Sequence, residues 1–454
     1  MEIEDSNQDS RPKPPTGGEN FSPGDAGSSR GPRRSSSRGG DRSSGPGSGR
    51  GGERRGLSSS DDRRGGGDRR RSGGPSERGG RGDRPDGRRS GPKRNDDLKP
   101  ASAPAAVAPA NGSGSPLEDL GGDFLASVSR SFSLTIRLLP DLLREPITLG
   151  YLLARALDTI ADTPGVVPGT RLEHLRALLD MIKYGADPEI LRPLQRDLVG
   201  KQTHDGERDL LKNLDRCLAW LEAQPLEDRW DLRRTLARIG RGQELDLLRF
   251  GEGTKAAPKP LATATDLDEY TYFVAGCVGE LWTRLCQRHL PAGWSKRDEA
   301  AMLALGKRFG QGLQMVNILR DLPEDLSNGR CYLPADLLVQ HGIEVADLAD
   351  SPAKARPLLN DLRQTALGHL DAAWEYVQAL TPRKLRYACA LPVLIGLETL
   401  GLLAKTSPLE TNERLKVSRG SIKSLMASAS FGALVSPWMT RLHGKLRKQA
   451  ASER

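Results

Sequence analysis

From Leu117 onward, apolar residues recur at intervals of three and four, and alternating runs are nearly absent. That period puts them on one face of successive α-helices, so it predicts an all-α fold. Before Leu117 the pattern is missing. Residues 1–115 are mostly Gly, Ser, Arg, Asp and Pro, with Phe21 as the single aromatic. Such a segment cannot bury enough apolar surface to offset the entropy of ordering. The expected organisation is a disordered low-complexity tail ending in an Ala/Pro linker (1–115), then one helical domain (116–454) with a single sizeable core. Within that domain helices are expected over 149–160, 172–184, 205–223, 226–250, 266–290, 296–322, 353–380, 382–404 and 416–446. They would enclose a central cavity. Pro140 and Pro146 punctuate the approach to the first of these, and Thr163, Pro164 and Gly165 end it.

The formal net charge of +9 is shared between the Arg-rich tail and a basic C-terminus that includes Arg441, Lys445, Arg447 and Lys448. It favours an anionic partner, and charge alone does not choose among nucleic acid, anionic lipid and phosphorylated small molecules. RGG triplets begin at Arg38, Arg50, Arg64 and Arg78. Segments of this type can bind RNA, but with no interleaved aromatics a solvated mixed-charge linker is the stronger reading. The five cysteines are odd in number and form no C-x-x-C pair, which argues against a disulfide framework or a zinc site and for reduced, buried thiols in a cytoplasmic protein. The longest apolar stretch, 388–404, is interrupted by Pro392 and Glu398, and the N-terminus is acidic and polar. Neither a transmembrane helix nor a signal peptide is expected. Apolar and basic residues in 425–446 could make a peripheral membrane contact, with packing on the core the stronger reading.

Two short stretches carry the chemistry. In YLLARALDTIAD, Tyr151, Arg155, Asp158 and Asp162 share one helical face within a run otherwise fit for a core. Ionisable groups there must be paired, metal-bound or turned to a water-filled cavity. In QMVNILRDLPED, Gln314, Asn317, Asp321 and Asp325 again share a face, with Arg320 beside it. Pairs of carboxylates suit Mg²⁺, which prefers oxygen ligands and is typically held by one or two carboxylates plus phosphate oxygens. Arginines complete a site for a polyanion such as a diphosphate. Pro323 lacks a backbone donor, so a kink or helix end is expected close to Asp325.

Four ordered motifs resemble those of the squalene/phytoene synthases, the head-to-head isoprenoid condensing enzymes. They are SRSF at 129–132, YLLARALDTIAD at 151–162, YTYFVAGCVG at 270–279, and QMVNILRDLPEDLSNGRCYLP at 314–334. The resemblance covers about residues 120 to 435 and implies an isoprenoid synthase (prenyltransferase) helical bundle whose two acidic motifs face each other across the cavity. It implies that Asp158, Asp162, Asp321 and Asp325 hold Mg²⁺, with Mn²⁺ as an alternative, on the diphosphates. Arg130, Arg155, Arg320 and Arg330 would contact phosphate or orient those carboxylates, and Gln314 and Asn317 would line the second site. Tyr151, Tyr270, Tyr272 and Phe273 are the candidate catalytic aromatics, with Phe132 and Phe309 as further cavity candidates.

The motif details point in two directions. LLARALDT, the CALP run at 389–392 and residues 416–426 look more like squalene synthases, while GQELDL at 242–247 is closer to the phytoene type. Phe273 stands where eukaryotic squalene synthases have a Tyr before VAG, so the role of that Tyr would pass to Tyr270 or Tyr272. The resemblance thus implies an enzyme condensing two farnesyl diphosphates through a cyclopropyl intermediate to squalene, with NADPH as reductant; separately, a monomer is expected. The alternatives are a phytoene or dehydrosqualene synthase without the NADPH step, an RNA-associated protein acting through the tail, and a terpenoid-binding scaffold without turnover.

Overall fold

A computed structural model describes residues 119–452, apart from 130–132, 134, 412, 413 and 435. The low-complexity tail with its RGG triplets, Arg130 and Phe132 lie outside the described residues.

The chain runs through α1 (Asp141–Asp162), α2 (Pro168–Tyr184), α3 (Pro188–Leu198), α4 (Asp205–Lys212), α5 (Leu214–Ala223) and α6 (Leu226–Phe250). It continues through β1 (Lys259–Leu261), α7 (Ala264–Thr271), a π-helical turn (Tyr272–Gly276), α8 (Cys277–His289), α9 (Glu299–Ser327) and β2 (Arg330–Pro334). The last long elements are α10 (Arg356–Ala379), α11 (Arg383–Lys405), α12 (Arg419–Leu434) and α13 (Ser436–Ala451). Helices in the expected places follow from the apolar period. The buried side chains of α1, for example, include Leu149, Leu152, Leu153, Ala156, Leu157 and Ile160, a stripe that meets α6 and α2. All five cysteines are free and buried.

Four departures from the sequence expectations matter. Helix α1 begins at Asp141 and carries Pro146 inside it, because one lost backbone bond costs less than exposing the buried stripe that follows. Helix α9 likewise runs on through Pro323 to Ser327, so the anticipated break does not occur and Asp321 and Asp325 stay on one face. Residues 266–290 are not one regular helix, since the π turn interrupts them at Tyr272–Gly276. A short parallel ladder, β1 with β2, is added to the otherwise helical fold. Three to five residues of ladder have no legible alternation, so period alone could not announce it.

Glycine permits the closest approaches. A Cβ on Gly279 of α8 would lie 1.8 Å from the Gly306 carbonyl oxygen of α9, and one on Gly310 would lie 2.0 Å from that of Ala275. The VAGCVG run is therefore where two helix backbones touch. At the end of α9, Gly329 turns the chain with φ 79° and abuts Gly253. That turn carries β2 back alongside the end of α6, and only glycine fits both its conformation and its neighbour.

Among the described residues one helix, Arg383–Lys405, is long and apolar enough to cross a membrane, and 67% of its apolar window is buried in the bundle. In the C-terminal pair Leu425, Ala429, Met439 and Leu446 are buried, while Trp438 is 45% exposed.

Replacing Gly279 with Ala is expected to destabilise the fold by about 3 kcal/mol, since neither backbone can yield to the added methyl. The same change at Gly444, where a Cβ meets nothing within 4 Å, should be neutral or stabilising by up to about 1 kcal/mol. Urea unfolding of both variants checks this, and equal stabilities would contradict the contact between α8 and α9.

Candidate active site

Helices α1, α6, α8, α9, α10 and α11 enclose a cavity of about 900 Å³. One wall is α1, which contributes Tyr151, Arg155, Asp158 and Asp162. Another is α9, which contributes Phe309, Gln314, Asn317, Arg320, Asp321 and Asp325. The fold thus brings both acidic stretches, far apart in the chain, to one chamber. Away from the carboxylates the lining is apolar and aromatic, with Ile239, Val274, Leu313, Tyr376, Leu391 and Ile395 among its residues.

Every carboxylate of the two pairs faces an arginine. Arg155 donates to Asp158 at 3.1 Å and also to Glu207 of α4, so its guanidinium is fixed between two helices. Asp158 accepts a second bond from the Gln243 amide of α6, 3.0 Å away. Asp162 pairs with Arg330, the first residue of β2. Asp321 is held by the adjacent Arg320 at 2.8 Å and by Arg414 at 2.9 Å, and Arg414 also reaches Glu324 at 3.3 Å. Asp325 has its carboxyl pushed up to about 8 by burial and by the carboxylates of Asp321, Asp246 and Glu324, against the pull of Arg330. Arg330 itself is held well above its ordinary value: the Asp162, Tyr332 and Asp246 oxygens around it outweigh the burial that opposes them.

A buried polar group sits beside this charge. The Tyr270 hydroxyl donates to Tyr332 at 3.2 Å, the two rings stack 4.7 Å apart, and Tyr332 donates to Asp246 of α6. Burial pushes the Asp246 carboxyl up to about 7, with the Tyr332 hydrogen bond opposing. Both tyrosines are held well above their ordinary values, again by burial first and then by Asp246.

Most of the expected site residues thus meet in one place: Tyr151, Arg155, Asp158, Asp162, Tyr270, Gln314, Asn317, Arg320, Asp321, Asp325 and Arg330 all line the cavity. Tyr272 and Phe273 do not. The cavity stripe of this segment runs through Tyr270, Val274, Val278 and Trp282. Tyr272, two residues on from Tyr270, faces away and lies between Arg238 and Lys307, and the wide π turn delays the chain's return to the cavity face, leaving Phe273 against Gly242 of α6. The sequence reading also missed Glu207, Gln243, Asp246, Tyr332 and Arg414 as site residues. Gln243 and Asp246 are three apart in GQELDL, and Tyr332 is within the YLP run, so a local signal existed for those three. Nothing near Arg414 announces it.

The donor set suits a hard cation. It is all oxygen, and the buried Asn317 Oδ1 and Asp246 Oδ1 have no hydrogen-bond partner. No three His, Cys, Asp or Glu side chains form a metal-holding group among the described residues. Mg²⁺ does not require one, since it is usually held by one or two carboxylates plus substrate phosphates and water.

The profile of the squalene/phytoene synthase family matches residues 125–421. Among similar proteins, a squalene synthase of Botryococcus braunii is 26% identical over 319 residues, covering 68% of this chain and 64% of that one. A squalene synthase of Nicotiana benthamiana is 27% identical over 307 residues, covering 66% of each. The chain spans less than two thirds of the length of these relatives. A solved structure of TcSQS with a bound ligand has the same fold, with a TM-score of 0.57 at 22% identity over 74% of this chain and 97% of that one.

Asp246 binds its proton more tightly when folded than at its ordinary 3.8. Folding therefore takes up a proton between about pH 4 and pH 7, and this carboxyl weakens the fold as pH rises through that window. Asp246→Asn should flatten the fall in Tm between about pH 4 and pH 7; a fall as steep as wild type would contradict the raised value.

Proposed function

The chain belongs to the squalene/phytoene synthase family, and from that premise we propose that it condenses two farnesyl diphosphates head to head, through presqualene diphosphate, to squalene. The observation that carries the reading is that both Arg-paired acidic stretches open on one largely apolar cavity. Anionic head groups and long apolar chains need that combination.

Asp158, Asp162, Asp321 and Asp325 are the residues that would hold Mg²⁺, with Asn317 beside them. When bound, the metal supplies Lewis-acid stabilisation of the departing diphosphate. The chain's own part begins with charge. Arg155, Arg320 and Arg330 orient the carboxylates and present guanidinium groups to the phosphates, stabilising negative charge as the allylic bond ionises. Gln243 and Glu207 fix Asp158 and Arg155 from α6 and α4, so these groups need little reorganisation. The apolar walls exclude water from the carbocation, and the rings of Tyr151, Tyr270 and Phe309 offer π faces to it. Tyr270, Tyr332 and Asp246 form a buried chain of exchangeable protons beside the site, and we assign proton handling to them rather than to Tyr272 or Phe273. NADPH is the hydride donor that a squalene end product requires.

A phytoene-type or dehydrosqualene product, which ends in proton loss, is the second reading. It is favoured by the GQELDL sequence, whose Gln243 and Asp246 both face the cavity. Incubation with farnesyl diphosphate and Mg²⁺, with and without NADPH, separates the two. Squalene should form only with the reductant, and dehydrosqualene in its presence would sink the first reading. Asp158→Asn and Asp321→Asn should each lower kcat by at least about a hundredfold, the loss of several kcal/mol of charge stabilisation. Phe273→Tyr, by contrast, should leave the product unchanged, because position 273 faces α6.

A further inference from the structure

On the outer side of α6, α8 and α9, six side chains form a patch that lines no part of the cavity. Leu226 and Trp230 stand one turn apart at the start of α6, 71% and 59% exposed. The Arg234 guanidinium lies over the Trp230 ring, 4.7 Å from its centroid. One turn further on, Arg238 reaches Glu280 of α8 at 3.2 Å, the carboxylate that Arg284 also meets at 3.3 Å. Lys307 of α9 lies 5.0 Å from the centre of the Tyr272 ring and has no carboxylate partner among the described residues.

The charges do not balance. Arg234, Arg238, Arg284 and Lys307 face two carboxylates, Glu280 and Asp231, and Asp231 is shared with Arg288. Arg234 Nε and Arg284 Nη1, covered by their neighbours, have no acceptor. Burial, and then the nearby Arg284, hold the Arg234 guanidinium below its ordinary value. The cluster is short of an anion.

A soluble anion would satisfy the arginines and leave Leu226 and Trp230 facing water. A bilayer with anionic headgroups uses both halves: aliphatic and indole side chains enter the boundary between headgroups and acyl chains, and guanidinium groups meet the lipid phosphates. We propose that this face docks on an anionic membrane, with a lipid phosphate among Arg234, Arg238, Arg284 and Lys307 and with Leu226 and Trp230 inserted beside it. The proposal does not depend on which isoprenoid the enzyme makes.

Flotation of the full chain with vesicles of phosphatidylcholine, alone or mixed with phosphatidylglycerol, tests it. Every variant keeps the Arg-rich N-terminus, so any attraction from that segment is constant across the set. Binding to the mixed vesicles should exceed binding to phosphatidylcholine alone. It should fall about fivefold for each of Arg234→Gln and Arg284→Gln, and about tenfold for Trp230→Ser. Leu226→Ser, at a side chain with little to lose in the fold, should also weaken binding, and circular dichroism checks that each variant is folded. Wild-type affinity in the folded variants, or no binding by the wild type, overturns the proposal. So does calorimetric binding of inorganic phosphate that is lost in Arg284→Gln while vesicles stay unbound, which would mark a site for a soluble anion.

Discussion

The pairing of Asp162 with Arg330 ties the two halves of the site together. Asp162 ends α1, and Arg330 begins the strand that follows α9. Without a cation between them, the acidic faces of the two helices would repel across a chamber of low polarity, where charge is poorly screened. The rest of the electrostatic arrangement repeats this solution. Arg155 stands between Asp158 and Glu207, and Arg414 between Asp321 and Glu324. The protein holds these carboxylates with its own arginines.

That arrangement rests on backbone geometry set elsewhere. The Gly279–Gly306 and Gly310–Ala275 approaches bring α8 and α9 together, which fixes α9 as one wall of the cavity. The Gly329 turn then sends β2 back past α6, delivering Arg330 to Asp162 and Tyr332 to Asp246 and Tyr270. Alternation along the strand puts residues 330 and 332 on one side, so a single short strand supplies both the bridging cation and the central hydroxyl of the buried network. Side chains at Gly279, Gly310 or Gly329 would disturb the site without touching it.

The buried network and the outer patch show the same physics in opposite settings. Asp246 is buried with one hydroxyl partner, so it keeps its proton to about pH 7. Arg234 and Arg284 are partly exposed with too few carboxylates, so they retain unused donors. In each case an ionisable group has been placed where the fold alone does not fully satisfy it, the first inside the cavity and the second on the outer surface of α6, α8 and α9.

The helices and the four metal-binding candidates were legible in the sequence because both depend on local spacing. Apolar residues three and four apart make a core-facing stripe, and carboxylates four apart share a face, whatever the helix later packs against. Pro323 misled the reading of α9, because burial of Met315, Ile318, Leu319 and Leu322 outweighs one missing backbone bond. The π turn, which packs between α6 and α9, has no local spacing signal and could not be read at all. Gln243, Asp246, Tyr332 and Arg414 acquire their roles from partners 85, 86 and 93 residues away. Local spacing is enough to say which segments are helical and which side chains share a face. Which faces meet is settled by glycine-mediated contacts and ion pairs between residues distant in the chain, and no local pattern carries those.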